Sequence, residues 1–176
     1  MNDFFEKLRY SLESQQEFDI DILKKHIPHC VEVRKTDIET DKTGIDYIAT
    51  IRGGAELFID AKTREPGCSR YWKSGPELAI ETWSVFEQKK QGWTFKENTN
   101  VDYILYTFPK QDCSEYFFIP FQLLRKAAIT NYHGWIRKYP LKKQVNRSYH
   151  SEAMFVPADV VLKAVTEAMK GKANGK

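Results

Sequence analysis

The sequence predicts an α/β fold in which helices flank a central, mixed but mostly antiparallel sheet of five to six strands. Alternating apolar and polar residues mark several short strands, while apolar residues at helical spacing mark an early helix and two late ones. The chain of 176 residues is also long enough to bury a core of its own. We expect a single domain over residues 1–169 and a disordered basic tail over residues 170–176.

The predicted elements follow one another without repeats or an internal linker. Helical spacing begins the chain over residues 3–26, where Asp19 or Asp21 could cap a second short helical segment. The predicted strands are 30–34, 45–51, 55–62, 78–86, 102–108, 115–121 and 152–156. The later predicted helices are Gln122–Tyr139 and Pro157–Met169, and the predicted loops are 35–43 and 63–76.

Composition indicates the cellular compartment of the protein more clearly than its function. The formal net charge of +3 is too small to identify a polyanionic partner by itself. Three cysteines without a CxxC spacing argue against a disulfide framework and against a zinc knuckle. The N-terminal residues lack the pattern of a signal peptide, and no apolar run approaches the roughly 18–20 residues that span a bilayer. We therefore expect a cytoplasmic protein with reduced thiols and no membrane association.

The clearest hairpin signal surrounds Arg52-Gly53-Gly54, which separates two apolar strands. A turn made of the two glycines alone would place Ile51 opposite Glu56, which mixes apolar and polar side chains on both faces. A loop of three residues instead places Ile48 opposite Phe58 and pairs like with like along the hairpin. The pattern therefore favours the three-residue loop.

This register has a chemical consequence at the open end of the hairpin. It places Asp46 opposite Asp60, and strand alternation keeps Lys62 on the same face as Asp60. Two neighbouring carboxylates supply the hard oxygen ligands that Mg²⁺ or Mn²⁺ prefers. A bound cation stabilises the charge of an attacked phosphodiester, and an adjacent lysine can orient or deprotonate the attacking water. The three residues thus predict a metal-dependent site for phosphodiester cleavage.

At these residues the sequence resembles the PD-(D/E)xK nuclease superfamily. The signature of this superfamily is an Asp on one strand followed by an acidic residue, any residue and Lys on the next strand. Asp46 matches the first part and Asp60-Ala61-Lys62 the second, although Ile45 stands where the signature has Pro. The resemblance covers roughly residues 1–120. It implies a restriction-endonuclease-like fold, Mg²⁺ or Mn²⁺ as cofactor, and hydrolysis of DNA.

A further acidic ligand is open among several residues. Many members of the superfamily supply a Glu from the first helix, which here could be Glu13, Glu17 or neither. Glu81 is another candidate for a catalytic and metal-binding role, because it lies in a predicted strand on the same face as Ala79 and Trp83. A carboxylate among apolar residues is costly to bury unless it is paired or metal-bound. The alternative interpretation of Glu81 is a carboxylate paired with Arg or Lys.

The loop after the motif carries a candidate nucleic-acid contact. Arg64, Arg70 and Lys73 provide charge for phosphates, and Tyr71 and Trp72 between them provide rings for bases. The alternative is a solvated loop whose aromatic side chains cover the core.

The residues between 137 and 147 form a second basic segment, with five cations and no acid, which would track phosphates if it lies near the site. The stretches around Glu81, Gly92-Trp93 and Asp102 resemble relatives of the superfamily from phages and mobile elements. The leading hypothesis is a Mg²⁺-dependent deoxyribonuclease, and the resemblance implies a possible homodimer for cutting duplex DNA. The alternatives are a non-catalytic nucleic-acid-binding module and a protein-binding accessory factor that keep the fold.

Overall fold

The computed structural model describes residues 15–37, 44–109, 115–146 and 148–173. Within these residues the chain forms nine strands in two sheets, three α-helices and two short 3-10 helices. The strands are β1 Cys30–Lys35, β2 Tyr47–Ile51, β3 Glu56–Thr63, β4 Glu77–Val85, β5 Lys90–Gln91, β6 Tyr103–Thr107, β7 Tyr116–Pro120, β8 Lys142–Val145 and β9 His150–Pro157. The α-helices are α1 over residues 15–26, α2 Phe121–Lys138 and α3 Ala158–Ala173, and the 3-10 helices are Cys68–Tyr71 and Trp93–Phe95. The predicted α/β class is confirmed.

The strands form two sheets, whereas the sequence predicted one central sheet. Five strands pair in the order β1-β2-β3-β6-β7, and four pair in the order β5-β4-β9-β8. The prediction missed the second sheet because its two edge strands carry no apolar alternation. β5 has only the two residues Lys90–Gln91, and β8 has the largely polar sequence Lys142–Val145. Their pairing to β4 and β9 is therefore a property of the tertiary structure and not of a local pattern.

The five-stranded sheet is mixed, as predicted. β1, β2 and β3 pair antiparallel to one another. Between β3 and β6 the Asp102 N–H donates to the Phe58 carbonyl (2.8 Å), and the Arg64 N–H donates to the Thr107 carbonyl (3.0 Å). The residue numbers on the two strands rise together, which is the pattern of a parallel pair.

The β2–β3 hairpin has the register that the sequence favours. The observed pairs are Tyr47–Ile59, Ile48–Phe58, Ala49–Leu57 and Thr50–Glu56. The Ile51 N–H donates to the Ala55 carbonyl across the three-residue loop (2.9 Å). Gly53 and Gly54 have φ values of 100° and 85°, in the left-handed region that side chains rarely adopt. The two glycines therefore permit the loop length that sets the register.

The chain divides into two compact units. The first unit comprises Met1–Ala61 and Asn100–Leu105, and the second comprises Lys62–Thr99 and Tyr106–Lys176. The prediction of one domain over residues 1–169 stays a prediction. Buried core residues of the first unit include Ile22, Leu23, Ile27, Val33, Tyr47, Ile48, Ala49, Ile59, Ile104 and Leu105. Buried core residues of the second unit include Leu78, Ile80, Tyr106, Ile119, Phe121, Leu124, Ala128, Met154, Val156 and Val161.

Two predicted helix boundaries differ from the structure. α1 runs without interruption through residues 15–26, so neither Asp19 nor Asp21 caps a separate segment. α3 extends to Ala173, so residues 170–173 of the predicted tail are helical. Helix formation can continue past the last apolar turn because the residues that follow Met169 include good helix formers such as Lys and Ala. Residues 174–176 lie outside the described residues.

The cysteines and the helices relate to two further predictions, that of reduced thiols and that of no membrane association. Cys30 and Cys68 are free thiols, and Cys113 lies outside the described residues. Across the described ranges, no helix has both the length and the apolar composition needed to cross a bilayer.

Two glycines of the second unit predict opposite effects on stability. An alanine Cβ at Gly92 would lie 2.4 Å from the Glu81 carbonyl oxygen and 2.6 Å from its carbon, so the backbone of β4 would have to move. We expect Gly92→Ala to lower the free energy of unfolding by about 1–3 kcal/mol, the usual effect of overpacking. Gly134, in α2, has no atom within 4 Å of its added Cβ. Gly134→Ala should therefore stabilise by roughly 1 kcal/mol through helix propensity.

Urea unfolding monitored by circular dichroism measures the free energy of unfolding of both variants. An unchanged midpoint for Gly92→Ala would contradict the close packing of Gly92 on β4. The Gly134→Ala variant serves as the control for the substitution itself.

Candidate active site

Asp46 lies one residue before β2 and is held by β3 through both its backbone and its side chain. Its N–H donates to the Ile59 carbonyl (2.9 Å), and its Oδ2 accepts a hydrogen bond from the Ala61 N–H (2.6 Å). The carboxylate thus takes an acceptor position at the end of the β2–β3 pair. A charged acceptor makes a backbone hydrogen bond stronger than a neutral one does. The orientation of the Asp46 side chain is therefore fixed by the hairpin itself.

Asp60 lies on β3 and is only 4% exposed. The last observed pair of the hairpin is Tyr47–Ile59, and the Asp46 N–H also bonds to Ile59, so the regular register ends before Asp46. The predicted pairing of Asp46 with Asp60 stays a prediction. Both aspartates belong to the first unit. Two carboxylates thus lie near the open end of the hairpin, one directly before β2 and one on β3.

A third carboxylate of the first unit, that of Asp19 on α1, is buried within electrostatic range of Asp46. Asp19 is 2% exposed, and it accepts hydrogen bonds from Gln15 Nε2 (2.8 Å) and from the Tyr47 hydroxyl (3.0 Å). Burial raises the pKa of Asp19, the two hydrogen bonds oppose this rise, and the charge of Asp46 adds to it. Burial, followed by the charge of Asp19, raises the pKa of Tyr47 as well. Tyr47 therefore stays a hydrogen-bond donor to Asp19.

The superfamily resemblance predicted an acid on the first helix at Glu13, at Glu17 or at neither. Glu13 lies outside the described residues, and Glu17 is exposed. Asp19, a predicted helix cap, instead shares the buried stripe of α1 with Ile22 and Leu23 at spacings of three and four residues. This spacing was the available signal, because an acid on the apolar face of a helix needs partners.

Lys62 and Glu81 belong to the second unit and interact there. The half-buried Glu81 accepts a hydrogen bond at Oε2 from the Trp93 N–H (3.1 Å). Burial raises the pKa of Glu81, while the Trp93 N–H and the positive charge of Lys62 oppose the rise. Lys62 Nζ also lies 5.9 Å from the ring centroid of Trp93. These contacts agree with the alternative interpretation of Glu81, a carboxylate paired with a lysine.

The backbone of Glu81 is held as firmly as its side chain. The Glu81 N–H donates to Thr94 Oγ1 (3.1 Å), and the Gly92 N–H donates to the Thr82 carbonyl (2.9 Å). β4 also changes register against β9 between Glu81 and Trp83, which is the mark of a bulge. The sequence identified the acid but not its Trp93 partner, since the two are twelve residues apart and meet only through the 3-10 helix.

The predicted nucleic-acid residues separate into exposed and packed side chains. Arg70, Tyr71 and Lys73 are exposed, and Tyr71 keeps 64% of its surface accessible. Arg70 Cζ lies 4.9 Å from the centre of the Tyr71 ring. Trp72 is half-buried and meets Phe108 edge-on, with centroids 5.2 Å apart. Tyr71 therefore offers a free ring face to a ligand, whereas Trp72 partly covers the core.

Arg64, the remaining predicted contact, lies directly after β3 in the second unit. Its Cζ lies 4.8 Å from the ring centre of Phe155 on β9. Lys142 Nζ of β8 lies 5.5 Å from the centre of the same ring. Part of the predicted basic segment at 137–147 is thus beside the predicted contact loop, a proximity that the sequence left open.

The comparisons with known proteins assign no family. No family model matches the chain, and neither the curated proteins nor the solved structures contain a match.

The raised pKa of Glu81 predicts a pH-dependent effect of Glu81→Gln on stability. Above the folded-state pKa of Glu81, the folded wild-type protein must keep this half-buried carboxyl ionised, which costs stability. Below the ordinary pKa of 4.5, the carboxyl is protonated in the folded and in the unfolded protein, and this cost is absent. Stability from this group is thus lost as the pH rises through the folded-state pKa. We expect Glu81→Gln, which stays neutral and can still accept from Trp93, to be more stable than the wild type at neutral pH and equal to it in acid.

Urea unfolding in EDTA from acid to neutral pH tests this expectation, with the exposed Glu167→Gln as the matched control. A Glu81→Gln variant whose relative stability falls as the pH rises would show that the ionised carboxylate is favoured in the fold.

Proposed function

We propose that this protein is a metal-dependent nuclease that hydrolyses phosphodiester bonds in DNA. The observation that supports the proposal is the hydrogen bond from the Ala61 N–H to Asp46 Oδ2 (2.6 Å), which holds the Asp46 carboxylate beside the segment of β3 that carries Asp60. Lys62 follows Asp60 by two residues in the same strand, and strand alternation gives the two side chains the same direction. Two carboxylates and an ammonium group in this order supply the ligands and the cation that phosphodiester hydrolysis requires.

The donor set fits Mg²⁺ or Mn²⁺. Mg²⁺ is usually held by one or two carboxylates, and waters and substrate phosphates complete its octahedron. Asp46 and Asp60 would be the protein ligands. Across the ranges that the structure describes, no group of three or more His, Cys, Asp or Glu side chains is placed to hold a metal, so the proposed site depends on two carboxylates. When bound, the cation neutralises phosphate charge and lowers the pKa of a coordinated water.

The residues of the chain have separate tasks in this proposal. The Ala61 N–H fixes the direction of the Asp46 carboxylate before any ligand arrives, which reduces the reorganisation needed on binding. Burial restricts the Asp60 side chain in the same way. Lys62 would orient the attacking water and offset the charge of the phosphate. Glu81 would position Lys62, with which it interacts electrostatically, and its predicted role as a metal ligand stays a prediction, as does the homodimer.

Cleavage of DNA is the direct test. With Mg²⁺ or Mn²⁺ we expect cleavage of at least one of single-stranded, duplex and branched DNA, and a loss of roughly 100-fold or more in rate for Lys62→Ala and Asp60→Asn. Lys163→Ala and Asp159→Asn remove the same charges from exposed positions of α3 and should cut like the wild type. Circular dichroism verifies that each variant is folded.

The outcomes separate the competing functions. Absence of cleavage on all three substrates would sink the enzyme hypothesis. Salt-dependent DNA binding that is unaffected by EDTA and by Lys62→Ala would then favour the non-catalytic binding module. A protein that neither cuts nor binds DNA would favour the accessory factor.

Metal binding can be measured without DNA. We expect the protein to bind Mn²⁺, observed as a loss of the free-ion electron paramagnetic resonance signal, and Asp46→Asn and Asp60→Asn each to weaken this binding by at least tenfold. Asn at position 46 can still accept the hydrogen bond from Ala61 through its amide oxygen, so the hairpin should persist. Equal Mn²⁺ affinities of the wild type and both variants would place the metal elsewhere.

A further inference from the structure

A cavity of about 360 Å³ in the second unit, defined here as the β8–β9 pocket, has a strongly basic wall. Arg64 and Lys142 both line it and both lie against the Phe155 ring, at 4.8 and 5.5 Å from the centroid. Arg64 Nε is buried and has no hydrogen-bond partner among the described residues. Lys143, a third lining cation, lies with Nζ 3.7 Å from the Phe86 ring centre. Three cations that line one cavity favour an anionic ligand, because charge-assisted hydrogen bonds are the strong ones.

The pocket also offers an aromatic face. Tyr71 lines it and is 64% exposed, with the Arg70 guanidinium 4.9 Å from its ring centre. Trp72 lines it too, and its edge contact with Phe108 fixes its orientation. A flat ring could stack on Tyr71 without displacing a core contact, and stacking on one aromatic face is how unpaired bases are held by many proteins.

A buried carboxylate in the pocket favours a ligand that is more than a plain anion. Glu77, at the start of β4, lines the same pocket and is 8% exposed. Sulfate or phosphate alone would satisfy the cations but would be repelled by Glu77. A ligand with N–H donors at one end, an anion at the other and a flat ring matches the Glu77 carboxylate, the cations and the aromatic face of the pocket. Carboxylates accept hydrogen bonds from base amino groups in just this way.

We propose that the β8–β9 pocket binds one unpaired nucleotide, with its phosphate at Arg64 and Lys142, its base on Tyr71 and its base N–H groups at Glu77. Guanine fits best, because its two adjacent N–H donors match the two oxygens of a carboxylate. A base inside a duplex exposes no ring face, so the strand must be single or locally opened there. A free nucleotide and one nucleotide of a nucleic-acid strand both carry these groups. Where it concerns cleavage, the inference rests on the proposed function and names unpaired nucleic acid as the substrate.

Binding in EDTA tests the pocket independently of cleavage. The probe is a short fluorescein-labelled single strand, followed by fluorescence anisotropy, with the duplex of the same sequence and the mononucleotides GMP and AMP as competitors. We expect Tyr71→Ala to weaken binding of the single strand by about tenfold. Lys142→Ala should weaken binding of the single strand several-fold. It should also reduce the slope of log affinity against log salt concentration by about one. The positions are exposed, so both variants should fold, and the controls are the exposed Tyr149→Ala and Lys163→Ala.

The competition experiments distinguish a free nucleotide from a nucleic-acid strand as the ligand of the β8–β9 pocket. Tighter binding of the single strand than of GMP identifies a strand as the ligand, and the reverse identifies a free nucleotide. GMP should compete better than AMP, and Glu77→Gln should remove this difference. Equal competition by GMP and AMP with the wild type would overturn the role of Glu77.

Wild-type affinity in both Tyr71→Ala and Lys142→Ala, or equal affinity for single strand and duplex, would overturn the inference even if the protein cleaves DNA. Pocket-dependent binding without cleavage under Mg²⁺ would instead support the inference and reject the proposed function.

Discussion

The three-residue loop between β2 and β3 determines which side chains of the hairpin share a face. Its two glycines adopt φ values that other residues avoid, and the loop length follows from them. A loop shorter by one residue would shift the pairing and turn one strand over relative to the other. Tyr47 would then no longer lie opposite Ile59, and the Ala61 N–H would no longer meet the Asp46 carboxylate. The local backbone conformation of Gly53 and Gly54 is therefore a precondition for the candidate site, although neither glycine has any chemistry of its own.

Electrostatic compensation is the second constraint, and each unit meets it separately. In the first unit, Asp19 is buried with hydrogen bonds from Gln15 and Tyr47. In the second unit, Glu81 receives the Trp93 N–H and the field of Lys62. In both cases burial raises the pKa of the carboxyl and the partners only partly offset the rise. Such shifts are common where charged groups are kept for function, but structural networks produce them as well.

The sequence predicted best where local pattern and tertiary structure agree. The β2–β3 register follows from pairing like with like, and the strand with Glu81 follows from alternation, since both signals lie within a few residues. β8 was missed because Lys142–Val145 has no apolar alternation and becomes a strand only by pairing with β9. Its cations reach the pocket through that pairing, which no local pattern encodes.

The missed parts of the candidate sites have the same origin. The buried position of Asp19 depends on the hydrogen bond from Tyr47, 28 residues away. The partner of the Glu81 carboxyl is a backbone N–H at Trp93, which any residue other than proline could supply. Residue types reveal carboxylates and lysines, but they do not reveal which backbone groups will satisfy them.

The hydrogen bond from Ala61 to Asp46 gives the two halves of the motif different evolutionary constraints. Asp46 satisfies a main-chain donor of β3, so a descendant that had lost all chemistry would still be selected to keep an acceptor there. Lys62 is half-exposed and serves no such donor, because its side chain has no acceptor to offer. Among related chains, retention of Asp46 would thus report on the integrity of the hairpin, and replacement of Lys62 would be the earlier sign that the proposed activity is absent.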